Sequence, residues 1–386
     1  MKKKFFITTT IPETFVFFKG NLAFLNEVFD ICAISSQKDK LEKVGEDEGV
    51  RTHYIPMSRP VSLLNDISCL FRFLWFFIKE KPDIVHGNTP KASFLSMIAS
   101  KITSVKIRIY MCHGLRYQGT SGIMKWLLMR MEKLTCTCAN EVICVSKGVR
   151  DTLIVDGICP PEKAVVIHHG SAGGIDMKRF ELNIESNRDI KKELGIGPSD
   201  FVYIYVGRIV QDKGINELVS AFVKLQASKE SLHLILIGPE EADLNPISEQ
   251  TRNQIYTSKN IHALGRQNDI RSFMMCSDAF VLPSYREGFG MVLIEAGALG
   301  LPCISTDISG CNEIIVSGEN GEIIPPRDEN ALYEKMKEWV EQPEKLAAMA
   351  SKARGMVESR FEQSMVWNAL LLEYKRLLDR AGNNVK

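Results

Sequence analysis

The sequence predicts an α/β protein with two doubly wound parallel sheets. Three observations carry this. Short apolar runs recur at 4–9, 31–35, 51–55, 83–86, 106–112, 141–145 and 164–168, and again at 201–206, 233–237, 261–264, 279–282, 302–305 and 321–324. Helical patterns separate several of them, including 63–79, 125–135, 215–227 and 291–299. Strands alternating with helices imply crossover connections and so parallel sheets. Finally, 386 residues exceed one typical core and suggest two domains. We place the first domain at 1–170 and the second at 201–363. Residues 171–200, polar and glycine-bearing, read as the linker region. The stretch 330–379 is helical in pattern, so the chain ends on a helix, taken as 364–386. The halves repeat an architecture without detectable sequence similarity.

Composition fits a soluble globular protein, with 45% hydrophobic and 25% charged residues. The net charge of +1 is unevenly spread: residues 1–180 hold 25 Lys+Arg against 17 Asp+Glu, a balance of +8. Residues 91–150 have ten basic residues against Glu132 and Glu141. The first half therefore reads as meeting something anionic, a membrane surface, a lipid phosphate or nucleic acid. No nucleic-acid-binding module accompanies the basic residues, which argues against the last. The ten cysteines are scattered, with a Cys136-x-Cys138 pair and no C-x-x-C, so no zinc site is expected. MKKKFFITTT lacks the apolar core of an export signal, and reduced thiols in the cytosol are expected. No run of 18 apolar residues occurs, and the richest segment, 69–78, reads as a buried crossover helix.

The most informative stretch is Glu287-Gly288-Phe289-Gly290-Met291, followed by Glu295. An apolar run ends at Pro283, and a helical pattern begins at Met291. The motif thus occupies a strand-to-helix turn, where ligands bind in open α/β sheets. Gly288 and Gly290 allow close approach to the backbone, and the N–H groups of the helix start favour an anion. Glu287 would stand at the rim, with Glu295 roughly 10 Å or more further along. Two carboxylates flanking an anion site suit a ligand with hydroxyls at both ends and phosphates between. Alone, the motif is equally compatible with an ordinary glycine turn. A second such turn, Gly207-Arg208 to Lys213-Gly214, follows the run 201–206. Arg208 offers a fork and Lys213 a point charge to phosphate oxygens, although a solvated basic turn would look the same.

Together these turns resemble the retaining glycosyltransferases of family four, which have the GT-B fold, two Rossmann-like domains whose parallel sheets face across a cleft. The spacing and order of the two motifs match that family, and the resemblance covers nearly the whole chain. It implies that Gly207, Arg208 and Lys213 hold the diphosphate of a nucleotide sugar. It implies that Glu287 accepts hydrogen bonds from the sugar, with Gly288, Phe289, Gly290 and Met291 in the same loop, and that Glu295 takes the ribose hydroxyls. Arg266 is implied near the base. Ile237-Gly238-Pro239 lacks a second glycine that the family often has, which puts that turn's role in doubt. His113-Gly114 resembles the active-site histidine, which contacts the donor sugar near the reacting carbon. The last helix is expected to cross back to the first domain.

The first domain is expected to bind acceptor. Asn88 follows the strand ending at His86 and could line the same cleft, and Arg116 is placed to meet a diphosphate. HGLRYQG at 113–119 resembles bacterial enzymes that build capsule, O-antigen or exopolysaccharide on a polyprenyl-diphosphate lipid. Residues 122–138 combine Trp126 and Leu127 with Lys125, Arg130 and Lys133, a basic amphipathic pattern suited to an anionic bilayer. The expectation is a peripheral enzyme on the inner face of the cytoplasmic membrane. It would transfer sugar from a nucleotide diphosphate, most readily a UDP-sugar, with retention. No essential metal or other cofactor is expected, because no Asp-x-Asp occurs and Arg208, Lys213 and helix N-termini can carry the charge. A sugar-nucleotide epimerase of similar fold and a non-catalytic two-domain binding protein are the alternatives.

Overall fold

The computed structural model describes residues 1–182, 189–241 and 245–383. In chain order its elements begin with β1 (Lys4–Thr8), α1 (Asn21–Asn26), β2 (Asp30–Ser35), α2 (Lys38–Glu48), β3 (Arg51–Tyr54), α3 (Leu63–Glu80) and β4 (Ile84–Gly87). There follow α4 (Pro90–Ile102), β5 (Ile107–Cys112), α5 (Gly122–Cys138), β6 (Glu141–Cys144), α6 (Lys147–Val155) and β7 (Ala164–Val165). The second half contains α7 (Ile190–Glu193), β8 (Phe201–Val206), α8 (Ile215–Gln226), β9 (Leu232–Ile237), α9 (Glu249–Thr257), β10 (Ile261–Ala263), α10 (Arg271–Met275) and β11 (Ala279–Leu282). It closes with α11 (Met291–Ala298), β12 (Cys303–Thr306), β13 (Gly321–Ile324), α12 (Glu329–Glu341), α13 (Pro343–Phe361) and α14 (Gln363–Asn383). Two compact units result: Met1–Gly174 with Ser364–Lys386, and Ile175–Gln363.

Both sheets are parallel throughout. The first has the order β3-β2-β1-β4-β5-β6-β7 and the second β10-β9-β8-β11-β12-β13. The central strands are largely apolar and buried because helices cover both faces: Phe5 to Thr8 and Val202 to Tyr205 are buried. Phe5 faces Ile31 on one side and Ile84 on the other, and Tyr203 likewise lies between Leu234 and Ala279. The strand order reverses between β1 and β4, and again between β8 and β11. Several helices start on side-chain caps that satisfy a free N–H. Asp328 accepts from Ala331 at 2.9 Å, and Ser248 accepts from Thr251 at 3.0 Å.

In the second unit α12 packs on α8, Trp339 is fully buried, and the Tyr203 hydroxyl donates to the Met336 carbonyl. The expected linker 171–200 is largely drawn into this unit. Ile175, Met177, Phe180, Ile190 and Ile196 are buried in its core, and the Arg354 guanidinium donates to the Phe180 carbonyl at 2.5 Å. Intervening glycines and charges hid this apolar spacing. Residues 183–188 of that stretch lie outside the described residues.

In the first unit α14 covers β1. Tyr374 packs edge-on against Phe5 at 5.0 Å, and Trp367 donates from Nε1 to the Gly173 carbonyl at 2.9 Å. Arg376 reaches Glu141 at 2.9 Å. Two expectations need correction. The strand expected over 164–168 stops at Val165, and His168 sits at φ +54°, a left-handed conformation that ends extended pairing. The segment 69–78 is a crossover helix as expected, but only one side of it is buried. Cys69, Phe73, Phe76 and Phe77 face the core, whereas Phe71, Trp75 and Ile78 are exposed. Among the described residues, no helix is long and apolar enough to cross a membrane. All ten cysteines are unpaired, and nine are buried.

Burial raises the pKa of Glu141, and the adjacent Glu373 raises it further; Arg376 opposes both. Arg376→Met should therefore leave a buried carboxylate beside another. We expect a loss of about 1–3 kcal/mol in urea unfolding at pH 8. The loss should shrink as pH falls and Glu141 protonates.

Candidate active site

The strand reversal of the second unit brings the turn after β8 beside the turn after β11. In doubly wound sheets ligands bind at this reversal, outside the carboxyl ends of the strands. Gly214 ends the first turn at φ +71°, and a Cβ there would lie 2.0 Å from the Pro283 carbonyl oxygen, so only glycine lets the turns approach so closely. Backbone and side chains lace them together. Tyr285 N–H donates to the Asp212 carbonyl at 2.9 Å, Arg286 pairs with Asp212 at 2.7 Å, and the Tyr285 hydroxyl donates to Glu217 at 2.5 Å.

Lys213 and Glu287 meet at this point. Nζ stands 2.5 Å from Oε1, with the two side chains 17% and 15% exposed. The Ser284 hydroxyl donates to the same Oε1 at 2.9 Å. Arg208 forms a second pair, from Nη1 to Glu241 at 2.9 Å, and is about half exposed. Its carbonyl accepts from the buried Tyr205 hydroxyl at 2.8 Å, which fixes the backbone beside Gly207. Two cations thus stand on the turn after β8, each held by a carboxylate. Both would suit oxygens of a diphosphate, which competes for them in the same fork or point-charge geometry.

The Gly288–Gly290 loop is held from below. Gly290 N–H donates to the Gly310 carbonyl at 3.0 Å, and Phe289 packs edge-on against Phe361 at 5.5 Å. Met291 opens α11, and Glu295 lies one turn into it. Burial pushes the Glu295 carboxyl up to about 7, with Arg179 pulling the other way. Gly238 makes the turn after β9 part of this region: at φ +141°, a Cβ would lie 1.8 Å from the Gly207 carbonyl oxygen. Its N–H donates to Gly265 at 2.9 Å, which sets the turn carrying Arg266 alongside. Arg266 itself is exposed beyond β10, the strand at the sheet edge, apart from the Lys213–Glu287 pair.

In the first unit, buried polar atoms collect at the ends of β4 and β5. His113 Nε2, His86 Nε2, Asn88 Oδ1 and Ser93 Oγ are each buried without a hydrogen-bond partner among the described residues. The His113 ring lies 6.1 and 6.3 Å from those of Phe17 and Phe18, and burial brings its pKa down to about 4. It is a neutral imidazole near pH 7. Burial lowers His86 to about 3, helped by His113. Asn88 donates from its backbone to the Thr8 carbonyl at 3.0 Å, across the reversal between β1 and β4. Arg116 is exposed on the short 3-10 helix after β5, beside a pocket of about 40 Å³ also lined by Arg59, Lys91 and Glu132. Sequence reasoning missed Ser284, Glu241 and Asp212 as partners. They sit 3 to 74 residues from the groups they serve, in no recurring pattern.

A model of Glycosyltransferase Family 4 matches residues 27–171, and one of Glycosyl transferases group 1 matches 186–356. The chain belongs to this family of glycosyltransferases, and its two parallel α/β units are those of the GT-B fold. Among relatives, it is 32% identical to the capsular polysaccharide biosynthesis glycosyltransferase CapM of Staphylococcus aureus, over 97% of this chain and 98% of that one. It is 28% identical to a UDP-Gal:alpha-D-GlcNAc-diphosphoundecaprenol alpha-1,3-galactosyltransferase of Escherichia coli, over 78% of each. Its fold matches that of Anabaena HepE, solved with UDP and glucose, at a TM-score of 0.82 and 19% identity over 97% of this chain and 100% of that one.

Two outcomes test the site. Gly214→Ala should cost more than about 2 kcal/mol, read by denaturant unfolding, because its Cβ meets backbone at a left-handed φ. Glu295→Gln should change stability with pH. The folded carboxyl titrates near 7 against 4.5 for an ordinary one, so ionisation opposes folding and wild-type stability falls between those values. The variant should gain on wild type across that window and hold the gain above it.

Proposed function

We propose that this glycosyltransferase moves a sugar from a UDP-sugar, with retention, to a polyprenyl-diphosphate-linked saccharide during synthesis of a bacterial surface polysaccharide. The meeting of Lys213 with Glu287 at the strand reversal of the second unit carries the donor part of this reading. One side chain is suited to a leaving diphosphate and the other to sugar hydroxyls, and they stand within one hydrogen bond. Glu295 accepts from the ribose, and Arg266 lies toward the base. The Escherichia coli relative, named for a UDP-galactose donor and a diphosphoundecaprenol acceptor, supports the choice of both substrates.

Retention follows from front-face substitution. The acceptor hydroxyl oxygen bonds to the anomeric carbon on the side from which the diphosphate departs. The bond from that carbon to the diphosphate oxygen breaks, and the hydroxyl proton passes to the departing phosphate. Arg208 and Lys213 stabilise the charge that develops on the diphosphate, the role a metal ion serves elsewhere. A neutral His113 can accept or donate one hydrogen bond to the sugar without placing a second positive charge at the reacting carbon. Asn88 and Arg116 serve the acceptor, Arg116 at its diphosphate. The exposed Lys125, Arg130 and Lys133 of α5 face an anionic membrane, on the inner leaflet of the cytoplasmic membrane where nucleotide sugars are available.

A panel of UDP- and GDP-sugars, assayed for binding and slow hydrolysis, tests the donor. One UDP-sugar should bind selectively, and Glu287→Ala should lower turnover about 100-fold or more. Lys213→Met should weaken UDP binding about tenfold or more. Activity should survive EDTA. Failure of folded protein to bind any nucleotide sugar, or inversion at the anomeric carbon of the product, would overturn the reading.

A further inference from the structure

We infer that the outer face of α3 is a bilayer-inserting surface, which acts with α5 to hold the first unit on an anionic membrane. This deepens the proposed function and rests on it for the lipid-linked acceptor; the surface itself rests on α3. Leu64, Ile67, Phe71, Trp75 and Ile78 follow at spacings of three and four residues, the pitch of one helix face. They are 85%, 52%, 65%, 61% and 63% exposed. The stripe runs roughly 21 Å along the helix. Scattered apolar side chains on a surface are ordinary, but a continuous row of this length marks an interaction site.

Charge selects the occupant. The acidic groups of α3 are already neutralised within the unit, Asp66 by Lys91 at 2.6 Å and Glu80 by Lys4 at 3.2 Å. The exposed charges of the helix beyond them are Arg72 and Lys79, both positive. Lys79 Nζ lies 5.1 Å above the Trp75 ring, an aromatic-cation pair that suits the headgroup level of a bilayer. α5 repeats the pattern. Ile123 and Trp126 are exposed, Arg130 lies 5.3 Å over the Trp126 ring, and the only acidic residue of the helix, Glu132, is buried against the Tyr110 hydroxyl. A second copy of the chain would set these like charges face to face, whereas anionic lipid matches them.

Topology puts both helices on one side of the sheet. The connections β3 to β4, β4 to β5 and β5 to β6 all advance in the same direction across it, and right-handed crossovers in one direction share a face. α4 packs against both α3 and α5, with Ile102 exposed at its end.

The test is flotation of full-length protein with vesicles of phosphatidylcholine alone or with phosphatidylglycerol. Wild type should bind the anionic vesicles and lose them at high salt. Phe71→Glu/Trp75→Glu should lower partitioning roughly 100-fold or more, with an unchanged melting temperature; Phe71→Ser/Trp75→Ser is the milder pair should the first not fold. In a Trp126→Phe background, brominated acyl chains should quench Trp75. The variant should keep wild-type hydrolysis of the donor and transfer to a detergent-dispersed short-chain acceptor. Absence of transfer in both proteins, with vesicle binding kept by wild type and lost by the variant, would refute the proposed function and leave the surface standing. Wild-type vesicle binding by the α3 variants, unquenched Trp75, or a wild-type dimer that the variants make monomeric with no vesicle affinity would each overturn the inference.

Discussion

Parallel strand pairing is the constraint on which the rest depends. A parallel pair cannot be closed by a hairpin, so strands return through crossovers, most of them helical, and the carboxyl ends of all strands in a sheet emerge on one side. The turns there hold backbone N–H groups at helix starts and little apolar surface. Where the strand order reverses, neighbouring turns diverge to opposite faces of the sheet and leave room for a ligand. In the second unit the turns at that place carry Arg208, Lys213 and Glu287. In the first unit the equivalent place carries Asn88, next to the β5 turn that carries His113.

The two sets of residues are held in opposite ways. In the second unit each of three site cations has a carboxylate partner: Lys213 with Glu287, Arg208 with Glu241, Arg286 with Asp212. A ligand there must exchange one charge pair for another, which favours groups carrying charge of their own and disfavours neutral molecules. In the first unit His86, His113, Asn88 and Ser93 keep buried polar atoms without partners among the described residues. Such atoms discriminate sharply between ligands, because one that fails to pair them leaves the cost of their burial unrelieved.

Much of this was legible in the sequence. β8 and β11 begin and end where their apolar runs do, since central strands buried on both faces leave an uninterrupted signal. The two glycine-bearing turns were legible because they are local. The joining of residues 175–200 to the second unit was not, as Ile175, Met177, Phe180, Ile190 and Ile196 have no single period. Nor was the direct pairing of Lys213 with Glu287, 74 residues away, which only the adjacency of β8 and β11 produces. α3 misled in a particular way. Its high apolar content reads as complete burial, yet only Cys69, Phe73, Phe76 and Phe77 are buried, with Phe76 and Phe77 packed on Phe6 of β1, while Leu64, Ile67, Phe71, Trp75 and Ile78 are exposed.

The thiols carry a practical consequence. Nine of ten cysteines are buried, and burial pushes Cys32 and Cys144 up to about 12 and holds Cys112 well above the ordinary thiol range, so the reactive thiolate of these three is scarce in the folded chain. Alkylation of these sulfurs requires the surrounding structure to open first. Cys32, Cys112 and Cys144 lie in strands of the first sheet, while Cys303 lies in the second. The chain therefore has built-in clocks, one set in each unit, whose labelling rates time the opening of each unit separately without any engineered probe.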